Sequence, residues 1–481
     1  MSVIENKMPA AVPVNSSRAA TSFAAYERLR LDLENQYADL LCLDRSLDRK
    51  LVSFQANKSR PVYRWFKYKE GFSACLVESL LHRVGVTEGT LLDPFAGSGT
   101  AMFVAAQHGL AAEGIELLPI GQAVIDTRRL IERGIPDRVL HRLAEWITTQ
   151  PWKNDGDGIT LSEVRITRGA YSPQTATALR GYLAALVDED APTRNLLRFA
   201  LLCILESISF TRKDGQYLRW DHRSGRSLGG KPFDKGHIPA FEQAITAKLK
   251  EILHDLQTSD TASDLFTAPG PSGSVKLHHG SCLEILPTLG EERYDCVFTS
   301  PPYCNRYDYT RTYALELALL GVDEAGFSSL RQTLLSATVE NRPKHLLAIN
   351  PRWRTALDIV DQHPPLGALF DYLDAQLESR TLNNTGIPRM IRGYFTELAC
   401  VIQECSRVLK PGCPLVMVND NVRFAGACIP VDLILTQIAE QLGFRAEVIL
   451  VLPTGKGNSS QQMGQHGRDE LRKCVYVWRK A

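Results

Sequence analysis

No stretch of this chain is apolar for the roughly 20 residues that a bilayer crossing requires, and none of its 11 cysteines forms a CxxC pair. Several cysteines lie inside apolar runs, as Cys203 does within Leu201–Leu205. A disulfide framework or a zinc site is therefore not expected, and the reduced thiols of a cytoplasmic protein are. Charge of one sign is equally scarce: 55 Lys and Arg face 54 Asp and Glu, a formal net charge of +1. The chain as a whole is no polycation, so any nucleic-acid face has to gather its basic residues locally. Histidines form no ligand set. His278 and His279 are adjacent near the end of a strand pattern and point to opposite faces, so no metal is expected. Internal repeats are absent. The first residues, Met1 to Thr21, are rich in Ala, Pro, Ser and Asn without a continuous apolar region, and read as a flexible arm, not a secretory signal.

What is present is an ordinary globular composition, 44% hydrophobic and 23% charged over 481 residues. That length has room for two or three domain-sized units. Tyr26, Leu29, Leu33, Tyr37, Leu40 and Leu41 recur at helical spacing and predict one or two amphipathic helices between Ser22 and Gln55. A strand, a glycine loop and a helix follow over Thr90–Gln107, then a second strand over Ala111–Ile115 that ends at Glu116. The strand–helix rhythm then stops. Helical patterns cover Val139–Thr148, Thr175–Val187, Thr193–Ser209 and Ala240–Leu256. Strand patterns return at Val275–His278, Tyr294–Phe298, Pro414–Val418, Arg445–Leu452 and Cys474–Trp478, with a second helical block over Val322–Arg389. This order predicts one discontinuous α/β domain carrying two insertions. The last two strands have no helical pattern between them, which predicts an antiparallel edge hairpin.

Two strings carry chemistry. In Asp93-Pro94-Phe95-Ala96-Gly97-Ser98-Gly99-Thr100, Gly97 and Gly99 permit a sharp turn and close backbone approach to a ligand. Thr100 opens a helix whose first amides can face anionic groups. Asp93 is positioned to receive an ammonium, and Glu116 to accept two ribose hydroxyls at the next strand end. A dinucleotide fingerprint would need glycine at 102, where Met102 stands, and no phosphate-gripping GxxxxGK[ST] occurs. The second string, Thr299-Ser300-Pro301-Pro302-Tyr303, suits a planar amine. The Ser300 hydroxyl and Pro301 carbonyl can accept its two hydrogens, Pro301 and Pro302 stiffen the loop, and Tyr303 offers a flat face for stacking. Each string follows a buried-strand pattern, and loops at the carboxyl ends of neighbouring strands share one crevice.

The pair resembles the S-adenosylmethionine-dependent amino-methyltransferases of DNA. The entry-helix motif of that family is matched by Lys69–Ser73 running into Leu76–Leu81, and the cofactor loop by Asp93–Thr100. The second motif ends at Glu116, the amine motif is Thr299–Tyr303, and Asn305–Tyr309 resembles the target-pocket segment. Arg407–Gly412 resembles the turn before the fifth strand. The resemblance spans 60–127, 275–320 and 390–481. It implies a Rossmann-like α/β methyltransferase fold, mostly parallel with an antiparallel edge hairpin and two largely helical insertions. It implies S-adenosylmethionine as cofactor, bound by Phe72, Ser73, Asp93, Phe95, Gly97, Ser98, Gly99, Thr100 and Glu116. It also implies Ser300, Pro301, Pro302 and Tyr303 as catalytic residues, with Asn305 and Tyr309 against double-stranded DNA. Where the family often has an acidic residue near the adenine amine, this chain has Gly280-Ser281-Cys282, so that role would fall to Ser281. Serine at the head of the amine motif leans towards N4 of cytosine. Adenine N6 or an RNA base is the alternative within the class, and an inactive nucleic-acid-binding scaffold the alternative outside it. Carbon-5 cytosine chemistry needs a Pro-Cys nucleophile, and no such dipeptide occurs.

The expected boundaries are an arm and amphipathic helix over 1–58, core parts over 59–127, 273–321 and 390–481, and inserts over 128–272 and 322–389. The first insert holds the basic segment. Between 211 and 237 there are seven Lys or Arg against three Asp, with aromatic residues interleaved. Arg212, Lys213, Gln216, Arg219 and Arg223 are the expected DNA contacts. A glycine-rich loop, 455–462, lies between the last two strands and is a second candidate. The resemblance implies protection of specific DNA sites in a restriction–modification or phage-defence setting, with a cognate restriction nuclease or another defence-system component as partner, and no membrane is expected.

Overall fold

The computed structural model describes residues 14–153, 159–214, 217–226, 232–262, 273–453 and 471–481. Its strands are β1 (Leu41–Leu43), β2 (Thr90–Asp93), β3 (Ala111–Glu116), β4 (Thr211–Asp214), β5 (Tyr217–Trp220), β6 (Val275–His279), β7 (Cys296–Thr299), β8 (Pro414–Asp420), β9 (Val422–Phe424), β10 (Ala427–Ile429), β11 (Phe444–Val451) and β12 (Lys473–Lys480). Eight of them form one sheet in the order β1-β11-β12-β8-β7-β2-β3-β6. All neighbours are parallel except β12, which runs antiparallel to both β11 and β8. This is the α/β fold the sequence predicts.

The centre of the sheet is apolar because both faces are covered. Every residue of β7 and the first six of β8 are buried, as parallel strands between two layers require. One face packs on the helices Ala74–Val84 and Thr100–Gln107, with Leu76, Leu80, Met102 and Phe103 against Leu91, Phe298 and Val416. The other face packs on Ile387–Val408 and Val431–Gln441. From β2 the chain winds outward to β3 and β6, and from β7 outward to β8. The junction of β2 and β7 is therefore the topological switch point, where ligands bind in such sheets.

Three expectations at the periphery change. The β11–β12 hairpin is not at the edge, because β1 pairs parallel with β11 through Leu41↔Ile449 and Leu43↔Val451. A three-residue strand leaves no periodicity to read, and it shields the edge that a hairpin would expose. The amphipathic helix runs Val14–Gln36, starting before Ser22 and stopping well short of Gln55. It buries Tyr26 and Leu33, with Tyr37 just beyond it, and lies along the helix Pro364–Glu378. Of the expected arm, residues 1–13 lie outside the described residues. The basic segment also breaks the largely helical character expected of the first insert: β4 and β5 pair antiparallel, Arg212 opposite Arg219.

The two inserts differ in how they are held. The first supplies the helices Asp137–Thr149, Pro173–Ala185, Ala191–Ile208 and Phe241–Ala262. Trp146, Trp152, Tyr182, Leu197, Leu201 and Ile245 form a core there, which continues into Ile120 and Val124 of the helix Pro119–Glu132 beside the sheet. In the second, Trp353, Leu366, Leu369 and Leu373 join the same core as Tyr394, Met417 and Tyr476. No helix among the described residues is long and apolar enough to cross a membrane.

Candidate active site

At the switch point a cavity of about 330 Å³ opens between the loops that follow β2 and β7. Phe95, Gly97, Ser98, Thr100 and Glu116 line one end, and Ser300, Pro301, Pro302, Tyr303, Asn305 and Tyr309 the other. Phe72 and Ser281 also line it. Two strings far apart in the chain thus share one wall-to-wall space, of the size that small-molecule sites have.

The cofactor loop is tight for identifiable reasons. Gly99 adopts φ +75°, and a Cβ there would meet Ile125 Cγ1 at 2.8 Å. Gly97, at φ +56°, lies under the Tyr68 ring. Glu116 holds this loop with both carboxylate oxygens, accepting from Gly97 N and Leu118 N at 2.7 Å each. Burial pushes its pKa up to about 7, against the pull of those two amides. Each oxygen keeps a lone pair for a further donor.

Three expected cofactor residues do not line the cavity. Asp93 is 1% exposed and accepts from Thr299 Oγ1 at 2.7 Å and from Phe95 N at 3.0 Å. Burial raises its pKa to about 7. Its carboxylate ties β2 to β7 beneath the two loops. Ser73 is fully buried and caps the helix Ala74–Val84 by accepting from Leu76 N at 3.2 Å. Gly99 acts through the shape of the loop.

At the amine end, Ser300 Oγ donates to the Val418 carbonyl at 3.0 Å and lies 3.4 Å from the Tyr303 hydroxyl. A serine has one hydroxyl proton. With that proton directed at Val418, the lone pairs of Ser300 are left as acceptors. Asp420, at the end of β8, lines the same cavity and is ion-paired to Lys473 at the start of β12, its register partner.

Several lining residues went unread in the sequence. Thr333, Leu334 and Leu335 form a wall from the second insert. They are held by Ser336 Oγ, which donates to Glu397 at 2.5 Å, and by Lys344 Nζ, 2.9 Å from both Glu397 oxygens and from the Leu334 carbonyl. No motif signals such a wall. Asp420 and Lys473 carried a readable signal, because both sit at strand ends facing the crevice. Glu70 lines the cavity as well, and the Tyr307 and Tyr313 hydroxyls donate to its two oxygens.

The expected DNA contacts separate into distinct groups. Arg212 and Arg219 are exposed on one face of the β4–β5 hairpin, Arg219 with Asp214 at 3.3 Å. Lys213 is on the other face, 4% exposed, and its ammonium pairs with buried Glu316 at 2.5 Å over the Tyr313 ring. It is not available to a phosphate, and strand alternation is the reason. Arg223 is committed to Asp221 at 2.7 and 2.9 Å and to the Gly236 carbonyl, so it braces the turn after β5. Lys235 binds carbonyls at the end of the helix Ala191–Ile208, and burial there lowers its pKa to about 8. Gln216 and the loop 455–462 lie outside the described residues. The hairpin packs beside the helix Tyr309–Thr312, next to the amine end of the cavity.

A Rossmann-like sheet that brings a glycine-turn loop and a Ser-Pro-Pro-Tyr loop into one crevice defines the methyltransferase class. No family model matches the chain. It is 53% identical over 471 residues to the Type II methyltransferase M.AvaI of Nostoc sp. and equally to M.AvaI of Anabaena variabilis, covering 97% of both chains in each case. It is 39% identical over 478 residues to the Type II methyltransferase M.BsoBI of Geobacillus stearothermophilus, covering 94% of this chain and 92% of that one. The chain belongs to the Type II methyltransferases, a family of DNA methyltransferases, and its cofactor is S-adenosylmethionine.

Proposed function

We propose that this protein methylates the N4 amine of a cytosine turned out of a specific site in double-stranded DNA. The observation that carries the proposal is the hydrogen bond from Ser300 Oγ to the Val418 carbonyl, which leaves the Ser300 oxygen as an acceptor at the cavity. An exocyclic amine is a poor nucleophile while its lone pair is delocalised into the ring. Ser300 and the Pro301 carbonyl accept its two hydrogens and favour a pyramidal nitrogen with its lone pair free. Tyr303 stacks on the extruded base. Most of the rate advantage then comes from holding the nitrogen in line with its target.

S-adenosylmethionine supplies an electrophilic methyl group. The cavity suits it: Glu116 for the ribose hydroxyls, Phe95, Ile115, Leu118 and Leu335 as apolar walls, and Ser281 for the adenine amine. Cytosine is favoured over adenine by the serine at the head of the amine motif. It is favoured again by the Lys473 ammonium in the cavity, a donor suited to the O2 carbonyl that adenine lacks. Arg212 and Arg219 meet backbone phosphates beside the pocket, with Asn305 and Tyr309 nearer the base. The Type II designation of the relatives supports a role in restriction–modification alongside a cognate nuclease.

The test is mass analysis of digested DNA from cells expressing the wild type or Ser300→Ala. N4-methylcytosine should accumulate only with the wild type; N6-methyladenine would overturn the base assignment. With purified protein, Ser300→Ala should lower turnover roughly 10²–10³-fold, as removal of one preorganised charge-stabilising partner does. Cofactor affinity should stay within about twofold, because Ser300 acts at the amine end.

A further inference from the structure

We propose that Glu70, and not Asp93, receives the α-ammonium group of S-adenosylmethionine. The inference rests on the cofactor lying in the cavity as described above. Among the described residues three carboxylates line that cavity: Glu70, Glu116 and Asp420. Glu116 stands at the end of β3, holds the backbone of the cofactor loop and is assigned to the ribose hydroxyls. Asp420 already has a cation in Lys473. Asp93, the acid the sequence singles out for this role, lies beneath the loops with Thr299 and does not line the cavity.

Glu70 has the opposite character. Tyr307 donates to one of its oxygens and Tyr313 to the other. Two neutral donors fix the direction of the carboxylate without neutralising it, and each oxygen retains a lone pair. Among the described residues no Lys, Arg or His lies within ion-pair distance of it. The neighbouring Lys69 sends its ammonium away, to the Lys213 carbonyl. A half-buried carboxylate walled by the tyrosines Tyr68, Tyr307 and Tyr313 is costly without a cation. The ligand that fits beside it is one bearing an ammonium group. The position also suits the cofactor's amino-acid end. Glu70 precedes Gly71, where a Cβ would lie 3.7 Å from Ser98 Oγ in the cofactor loop. Through Tyr307 it is bonded to the segment that follows Ser300–Tyr303, so the same carboxylate touches both halves of the site.

Calorimetry with two ligands tests this directly. S-adenosylhomocysteine carries the amino-acid group, and 5′-methylthioadenosine lacks it while keeping the adenosine and a neutral sulfur. Glu70→Gln should weaken S-adenosylhomocysteine at least tenfold and change 5′-methylthioadenosine by less than about threefold. Retained binding of the second ligand certifies an intact pocket. Tyr307→Phe, which keeps the carboxylate, should keep the preference for S-adenosylhomocysteine. An equal loss of both ligands in Glu70→Gln would make Glu70 a brace of the pocket and overturn the proposal, as would no loss of either. If the wild type bound neither ligand, the placement of the cofactor in this cavity would fall first.

Discussion

The two inserts are similar in helical character and opposite in attachment. The first packs its aromatic residues into a core that it shares with Trp65, Phe66, Ile120 and Leu317 beside the sheet, and carries its exposed arginines on a hairpin beside the cavity. The second is divided: its tryptophan and most of its leucines complete the core under the sheet, Phe327 joins the first insert's core, and its Thr333–Leu335 segment is a wall of the cavity. An insert packed mainly outside the sheet's core can change its surface without disturbing the sheet. One that shares the main core cannot. The first thus presents exposed arginines beside the cavity, and the second shapes the cavity wall.

The largest expected effect lies in the second insert. Lys344→Met leaves Glu397, 2% exposed in its side chain, without its cation. Breaking a buried pair in this way costs about 3–5 kcal/mol. Urea unfolding should report that loss, and cofactor affinity should fall with it because the Leu334 carbonyl loses its anchor. Unchanged cofactor affinity in the folded variant would detach the second insert from the site. In the first insert the expected effect is smaller and of another kind. Arg212→Ala with Arg219→Ala should make the salt dependence of DNA binding shallower by about 1.8 log–log units, roughly 0.9 for each phosphate no longer neutralised. Cofactor affinity should be untouched. A wild-type slope would mean that the hairpin is merely solvated.

The smallest effect concerns protons at the cofactor end. Burial raises the Glu116 pKa from 4.5 to about 7, so near neutral pH the ligand-free protein holds a proton that the unfolded chain has lost. Its contribution to stability is therefore present at low pH and is lost as pH rises from about 4.5 through 7. Ribose hydroxyls need the ionised carboxylate as their acceptor. Cofactor affinity should accordingly rise between pH 6 and 8, and binding near pH 7 should release a proton. Calorimetry in buffers of different ionisation enthalpy measures that release; proton uptake on binding would remove Glu116 from ribose recognition.

Much of the fold was legible because its signals are local. The glycine turn, the Ser-Pro-Pro-Tyr loop and the apolar runs before them each specify a short piece of backbone, and the strand-end rule brings the pieces to one crevice. Less local features were misread for physical reasons. Lys213 sits in a basic run, yet two-residue alternation turns it inward to Glu316 while Arg212 and Arg219 stay outside. Asp93 ends its strand as an ammonium receiver should, but Thr299 from the adjacent strand claims its carboxylate.

What the amino-acid sequence determined by itself is therefore the chemistry available: which loops turn tightly and which groups are able to accept an amine. The tertiary structure alone decided which charges are spent on holding the protein together and which remain for ligands. That division depends on partners far away along the chain. Glu397 meets Lys344, Asp93 meets Thr299, and Glu70 is left to two tyrosines. A side chain's availability is set by what packs against it, and no local pattern encodes that.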